Sequence, residues 1–170
     1  AGYRIVLCDQ RRRVSHVRDG AGRDKGRILR LLTRNNAHVL TASLPWRYLP
    51  AALWDVLRRY ALVAEKEGVF RDFLRGLRDA PGATLHALRQ RNPLTPPIAR
   101  RVLLIEHVDR LAARAAAMGL RRMVICGVGK FPSLWLRVLR RHRIRVLAFW
   151  DTNPCWRGRR IGGVPVLVHD

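Results

Sequence analysis

Met123-Val124-Ile125-Cys126-Gly127-Val128-Gly129-Lys130-Phe131-Pro132 is the stretch that decides how this 170-residue chain folds. It opens with four uninterrupted apolar residues, as expected of a parallel strand buried on both faces. A Gly-x-Gly turn follows, where glycine permits a tight bend and lets backbone N–H groups approach a phosphate at a helix start. Ser133 to Arg141 reads as that helix, with Leu134, Trp135, Val138 and Leu139 inward. Val146-Leu147-Ala148-Phe149-Trp150 is a second apolar strand. It ends on Asp151, 22 residues after Gly129, near the spacing of a ribose-binding carboxylate. A loop from Thr152 to Gly163 leads to a third short strand, Val164 to Val168.

Strand, glycine turn, helix, strand and acidic cap describe a Rossmann-like βαβ unit. Pro132 stands where a third glycine is usual. Proline is tolerated in a first helical turn, though it hinders the close helix–strand packing that a glycine allows. Two readings of the turn stay open: it holds a dinucleotide, or it is structural and holds nothing.

Upstream, Ile98 to Met118 reads as one helix ended by Gly119, and Pro93-Leu94-Thr95-Pro96-Pro97 as a stiff linker and domain boundary. Residues 26–92 read as helices with breaks. Ile28, Leu31, Leu32, Asn35 and Val39 share one helical face beside Arg27, Arg30 and Arg34. Pro45 and Pro50 flank a turn at Trp46-Arg47-Tyr48-Leu49. A second helix starts near Ala51, carries Leu53, Trp54, Leu57, Ala61 and Leu62, and ends at Gly68. A third, Val69 to Ala80, sets Phe70, Phe73, Leu74 and Leu77 against arginines and stops at Pro81-Gly82. Such arginine-bordered stripes fit either a buried bundle or helices lying on an interface. Before them come a short strand, Tyr3 to Cys8, a basic turn and a second extended piece, Val14-Ser15-His16-Val17. The abrupt start on a strand reads as a cut.

The formal charge is +22, and 48% of residues are hydrophobic, enough to bury a core, so the chain is not a disordered basic tail. The longest uncharged stretch, Asn35 to Trp46, is too short and polar to span a bilayer. Secretory signal features are not seen, and Cys8, Cys126 and Cys155 make neither a disulfide framework nor a zinc pair, so a reducing cytoplasmic setting is the default. Cys126, inside the apolar strand, reads as core, and so do Trp135 and Trp150. All but three of the 34 cations are arginine, which fits either phosphate binding or an arginine-rich coding background. So large a charge calls for an anionic partner: nucleic acid, lipid headgroups or nucleotide phosphates. Arginines spread along apolar helices suit a membrane surface better than a nucleic acid.

Two resemblances extend this reading. The phrases Ile125-Cys126-Gly127-Val128-Gly129, Asp151-Thr152-Asn153-Pro154 and Gly158 to Val166 resemble the Rossmann-like region of bacterial sugar acyltransferases and polysaccharide-biosynthesis epimerases. That resemblance implies a nucleotide-sugar or a nicotinamide dinucleotide, NAD(P), with Gly127, Gly129 and Lys130 toward phosphate and Asp151 and Asn153 toward ribose or base. It also implies that the unit is truncated at its C-terminal end. Residues 1 to about 90, through Val14-Ser15-His16-Val17, Leu31 to Asn36 and Leu44 to Pro50, resemble the tail of family-2 glycosyltransferases. From it follow a nucleotide-sugar donor, a divalent metal in the full-length enzyme with His16 as a candidate ligand, and an amphipathic tail on an anionic membrane. The donor-site Asp-x-Asp of that family is not in the chain.

The expectation is therefore an α/β protein: a helical, basic N-terminal half with short strands (1–92), a linker (93–97) and a partial parallel Rossmann-like unit (98–170). Its expected role is part of a glycosyltransferase moving sugar from a nucleotide donor to a polysaccharide or lipid-linked acceptor, at the inner membrane face. A non-catalytic nucleotide-sugar or NAD-binding module and a nucleic-acid binder are the alternatives. Oligomeric state is left open.

Overall fold

The computed structural model describes residues 24–168. The expected early strands, Cys8 and the candidate metal ligand His16 lie outside the described residues. Within them the chain is mixed α/β, with a helical first half and a four-stranded, mostly parallel sheet in the second.

The first half holds α1 (Lys25–Ser43), α2 (Leu49–Lys66) and α3 (Phe70–Arg89). Asp24 starts α1 by accepting the Arg27 N–H at 2.8 Å, the usual means of satisfying an orphan donor at a helix start. Contacts between α1 and α3 climb together: Arg30 meets Asp79 at 2.6 Å, and His38 takes up the Ala83 carbonyl at 2.9 Å and stacks on His86. The two helices are therefore parallel. They approach closely because Gly76 has no side chain. A Cβ there would lie 2.8 Å from the Arg30 carbonyl oxygen and 2.9 Å from Thr33 Cβ.

This close approach decides which side of α1 is buried. Leu29, Thr33, Ala37 and Leu40 face inward, while Ile28, Leu32 and Val39 are 42, 41 and 54% exposed. The stripe legible in the sequence is real but points to solvent, because α3 makes its close approach at Gly76 on the Thr33 side of α1. Nor does α3 stop at Pro81-Gly82. It runs on to Arg89, since His38 and the fully buried Ala87 hold its second half, and this packing outweighs the hydrogen bond lost at proline.

The single helix expected over Ile98 to Met118 is two: α4 (Pro96–Val102) and α5 (Ile105–Ala117). Leu104 between them is left-handed, φ 57°. In a continuous helix Leu103 and Ile105 would point some 200° apart. The break lets both be buried, at a backbone cost of about 1–2 kcal/mol. The proline-rich segment before α4 is no free spacer. Asn92 and Leu94 donate their N–H groups to the carbonyls of Ala42 and Ser43, at 3.2 and 2.8 Å. Across it, Leu44, Leu49 and Ala52 pack in one core with Leu103, Leu134 and Val138.

The second half continues with β1 (Arg122–Cys126), α6 (Pro132–Arg141), β2 (Arg145–Asp151), a 3-10 turn (Pro154–Trp156), β3 (Arg160–Ile161) and β4 (Val164–Val168). The sheet order is β1-β2-β4-β3. β2 is parallel to both β1 and β4, with Ile125 opposite Phe149 and Phe149 opposite Val166, and β3 is antiparallel to β4. Val146, Phe149, Ile161 and Val166 form a core with Leu136 and Leu139 of α6, reached also by Ala112 of α5 and Leu62 of α2. The other face is covered only in part, with Ala148 buried there opposite Val124. Val124, Leu147 and Leu167 stay about half exposed, and Cys126 is exposed. The expected burial on both faces, with Cys126 in the core, is therefore corrected, because the described helical core packs mainly against the face of Val146, Phe149 and Val166. Trp135 is partly buried, with its indole N–H on the Leu103 carbonyl at 3.2 Å, and Trp150 is half-exposed.

Candidate functional site

The turn after β1 is left-handed at both glycines, φ 82° at Gly127 and 65° at Gly129. Gly129 is required twice over, since a Cβ there would stand 2.5 Å from the Trp135 ring. Between them Val128 is buried and donates its N–H to Asp151 Oδ2 at 2.8 Å. The other oxygen, Oδ1, accepts the Asn153 N–H at 2.8 Å. Asn153 Oδ1 in turn accepts the Cys155 N–H at 3.1 Å, which fixes the turn into the 3-10 segment. Asp151 thus ties the end of β2 to the glycine turn.

The helix start beyond that turn is closed by a second carboxylate. Asp55, on α2 and fully buried, accepts the Ser133 N–H on Oδ2 at 3.0 Å and the Ser133 hydroxyl on Oδ1 at 2.6 Å. Arg58 reaches the same carboxylate at 3.1 Å and lays its guanidinium 5.5 Å over the Trp156 ring. Burial pushes the Asp55 carboxyl above its ordinary pKa, and the Ser133 hydrogen bonds and the Arg58 charge pull it partly back. Burial likewise lowers Arg58, against the pull of Asp55. The positive end of a helix dipole is where a ligand phosphate is received in a nucleotide-binding turn. In this chain a protein carboxylate already sits there, and it repels a second anion.

Beside this closed helix start lies an open cleft of about 340 Å³. It sits outside the carboxyl ends of β1 and β2, where open α/β sheets receive ligands. Gly129, Asp151 and Asn153 line one wall and α2 contributes Arg59 and Lys66, with Trp156 among the lining. The Arg59 guanidinium donates to the Gly129 carbonyl. Glu67, also on the lining, is paired with Lys25 at 2.6 Å, and that hydrogen bond holds its carboxyl below the ordinary range.

Of the residues singled out in the sequence, Gly129, Asp151 and Asn153 come together in this cleft. Gly127 shapes the turn behind it, and Lys130 is exposed and outside the lining. Sequence reading missed Asp55, Arg59, Lys66 and Ser133. The one signal for Asp55 was its isolation: it is the only carboxylate between Asp24 and Glu65, set in a helix of alanines and leucines. Among the described residues no group of three or more His, Cys, Asp or Glu is placed to hold a metal ion, and no helix is long and apolar enough to cross a membrane. No family model matches the chain, and no curated protein or solved structure matches it either.

Proposed function

We propose that this chain is part of a bacterial glycan-assembly protein, a glycosyltransferase tail joined to an α/β unit that binds a nucleotide-sugar in the cleft between α2 and the sheet. The observation that carries this reading is the joint construction of the cleft. The half that resembles a transferase tail supplies the cations Arg59 and Lys66, and the half that resembles nucleotide-sugar proteins supplies Gly129, Asp151 and Asn153. With the helix start filled by Asp55, the diphosphate is met by side-chain cations. Arginine binds it bidentately and lysine as a point charge. Each oxygen of Asp151 accepts one backbone N–H, which leaves lone pairs for a ribose hydroxyl. A volume of about 340 Å³ suits a nucleotide headgroup. Calorimetry of the chain against nucleoside-diphosphate sugars and nicotinamide dinucleotides tests it. Saturable binding of one nucleotide-sugar is expected, and silence toward every member at millimolar concentration refutes the reading.

A second observation favours contact with an anionic membrane. Ile28, Leu32 and Val39 form an exposed apolar stripe on α1, and Trp46 and Trp54 are exposed as well. Arginines border these positions, so that apolar groups and cations meet a bilayer interface together. Sedimentation with anionic vesicles at low salt is expected to carry the protein down, and neutral vesicles are expected to leave it in solution. No binding to anionic vesicles removes this part of the proposal.

A further inference from the structure

At the opposite end of the sheet from the α2 cleft lies a larger concavity, about 480 Å³, at the amino ends of β2 and β4. Four arginines line it, Arg140, Arg143, Arg145 and Arg160, and among the described residues no carboxylate does. Two of them are pinned by the carbonyls of the two glycines in the β3–β4 turn. Arg140 donates to Gly162 at 3.1 Å, and Arg160 donates twice to Gly163, at 3.1 and 2.9 Å. Among the described residues the side chains of Arg143 and Arg145 make no hydrogen bond or ion pair. The floor between the four is apolar, with Ile144 and Val164.

Arg143 adds a second observation. Its backbone is left-handed, φ 57°, at the residue that closes α6. Ile144 donates to the Leu139 carbonyl and Arg143 to that of Arg140, both at 3.0 Å, the closure in which glycine is the usual residue. Arginine there strains the backbone, and strain of this kind gathers at functional positions. The two described carboxylates that meet chain neighbours of these arginines, Asp109 on His142 at 2.8 Å and Glu65 on Arg159 at 2.7 Å, do not line the concavity. From Arg110 to Val168 the chain has thirteen cations and one carboxylate, Asp151, which is taken up by backbone N–H groups at the other end of the sheet.

We propose that this four-arginine concavity is a binding site for a small organic or inorganic oligophosphate, distinct from the nucleotide-sugar cleft. The pinned guanidiniums of Arg140 and Arg160 form a fixed wall. Arg143 and Arg145 supply free forks that bind phosphate oxygens bidentately, and the apolar floor takes the non-ionic part of an organic ligand.

Calorimetry with sodium tripolyphosphate and with a nucleoside triphosphate tests this on the full chain. For tripolyphosphate the site predicts one tight equivalent whose affinity falls steeply with salt. The double variant Arg143→Ala/Arg145→Ala is expected to lose about tenfold or more in affinity. The control Arg71→Ala/Arg89→Ala, with the same charge change on exposed positions of α3, is expected to lose less than about threefold. Arg143→Gly should raise the melting temperature by relieving the left-handed strain while still weakening tripolyphosphate, a pairing that a purely structural arginine does not give. Lys66→Ala leaves this equivalent in place. Equal losses in the Arg143→Ala/Arg145→Ala and control doubles overturn the proposal, because they mark diffuse polyelectrolyte binding. So does Arg143→Gly binding as tightly as the parent. Tripolyphosphate and nucleoside triphosphate affinities that are both unchanged in Arg143→Ala/Arg145→Ala also overturn it, by placing recognition elsewhere.

Discussion

Two carboxylates attend the same glycine turn, and their surroundings give them opposite roles. Asp55 is shut inside between α2 and α6, spends both oxygens on Ser133 and is matched by Arg58. Asp151 stands at the lip of a cleft, pins Val128 and Asn153 with one bond to each oxygen, and keeps a side toward solvent. The first occupies the helix start and closes it. The second shapes a turn and leaves it open. A strand–glycine turn–helix pattern therefore does not place the anion by itself. In this chain Asp55 of α2 takes the start of α6 that follows the turn.

The largest expected effect comes from breaking the closed side. Asp55→Ala leaves a buried Ser133 N–H and an unmatched Arg58, and is expected to cost about 3–5 kcal/mol in urea unfolding. Asp55→Asn keeps an acceptor for Ser133 and should cost clearly less. If the two substitutions cost the same, the hydrogen bonds to Ser133 are not what holds the helix start. Gly129→Ala comes next. It meets the Trp135 ring and a left-handed backbone together and should cost about 2–3 kcal/mol, read from the thermal midpoint. Gly127→Ala has the left-handed φ with open space around its Cβ, so about 1 kcal/mol is expected. That difference measures the part of Gly129 due to Trp135.

The pH dependence sharpens the same contrast. The folded pKa of Asp55 lies above the ordinary carboxylate value, so the folded state binds the extra proton. Its contribution is fully present below the ordinary value and is lost as pH rises through the folded one. The stability of the parent relative to Asp55→Asn should therefore grow as pH falls from neutrality toward about 4. Asp109 runs the other way. The His142 hydrogen bond, with Arg100 beside it, holds it below the ordinary value, so its contribution is lost only in more acid solution. Denaturant midpoints across both windows check the two signs. The smallest effect has the opposite direction. Leu104→Gly relieves a left-handed backbone at a half-exposed position and should stabilise the chain by about 0.5–1 kcal/mol in the same assay.

The second half was the more legible in sequence. Continuous apolar runs, a Gly-x-Gly and a terminal Asp mark β1, α6 and β2 locally, and those elements fall where the pattern sets them within a residue or two. The helical half was legible in its helices and not in their faces. Thr33, Ala37 and Gly76 are buried because two backbones approach closely, a tertiary cause that a scale of hydrophobicity ranks below the Ile28–Leu32–Val39 stripe. Pro81 and Leu104 miscarried for related reasons. Packing carried α3 through a proline and broke a helix at a leucine to bury its two neighbours. In the candidate site, Asp151 and Gly129 were visible because strand and turn are contiguous in the chain. Asp55 meets Ser133 across 78 residues, and Arg59 meets Gly129 across 70. No local pattern encodes either pairing.

The most direct test is a calorimetric titration of a nucleoside-diphosphate sugar into the parent, Lys66→Ala and Asp55→Asn proteins, each checked for native circular dichroism. If the phosphates meet α2 and not the start of α6, a loss of about tenfold is expected for Lys66→Ala and a change within about twofold for Asp55→Asn. Unchanged affinity in Lys66→Ala with tighter binding in Asp55→Asn would place the phosphates at the helix start and contradict the proposal.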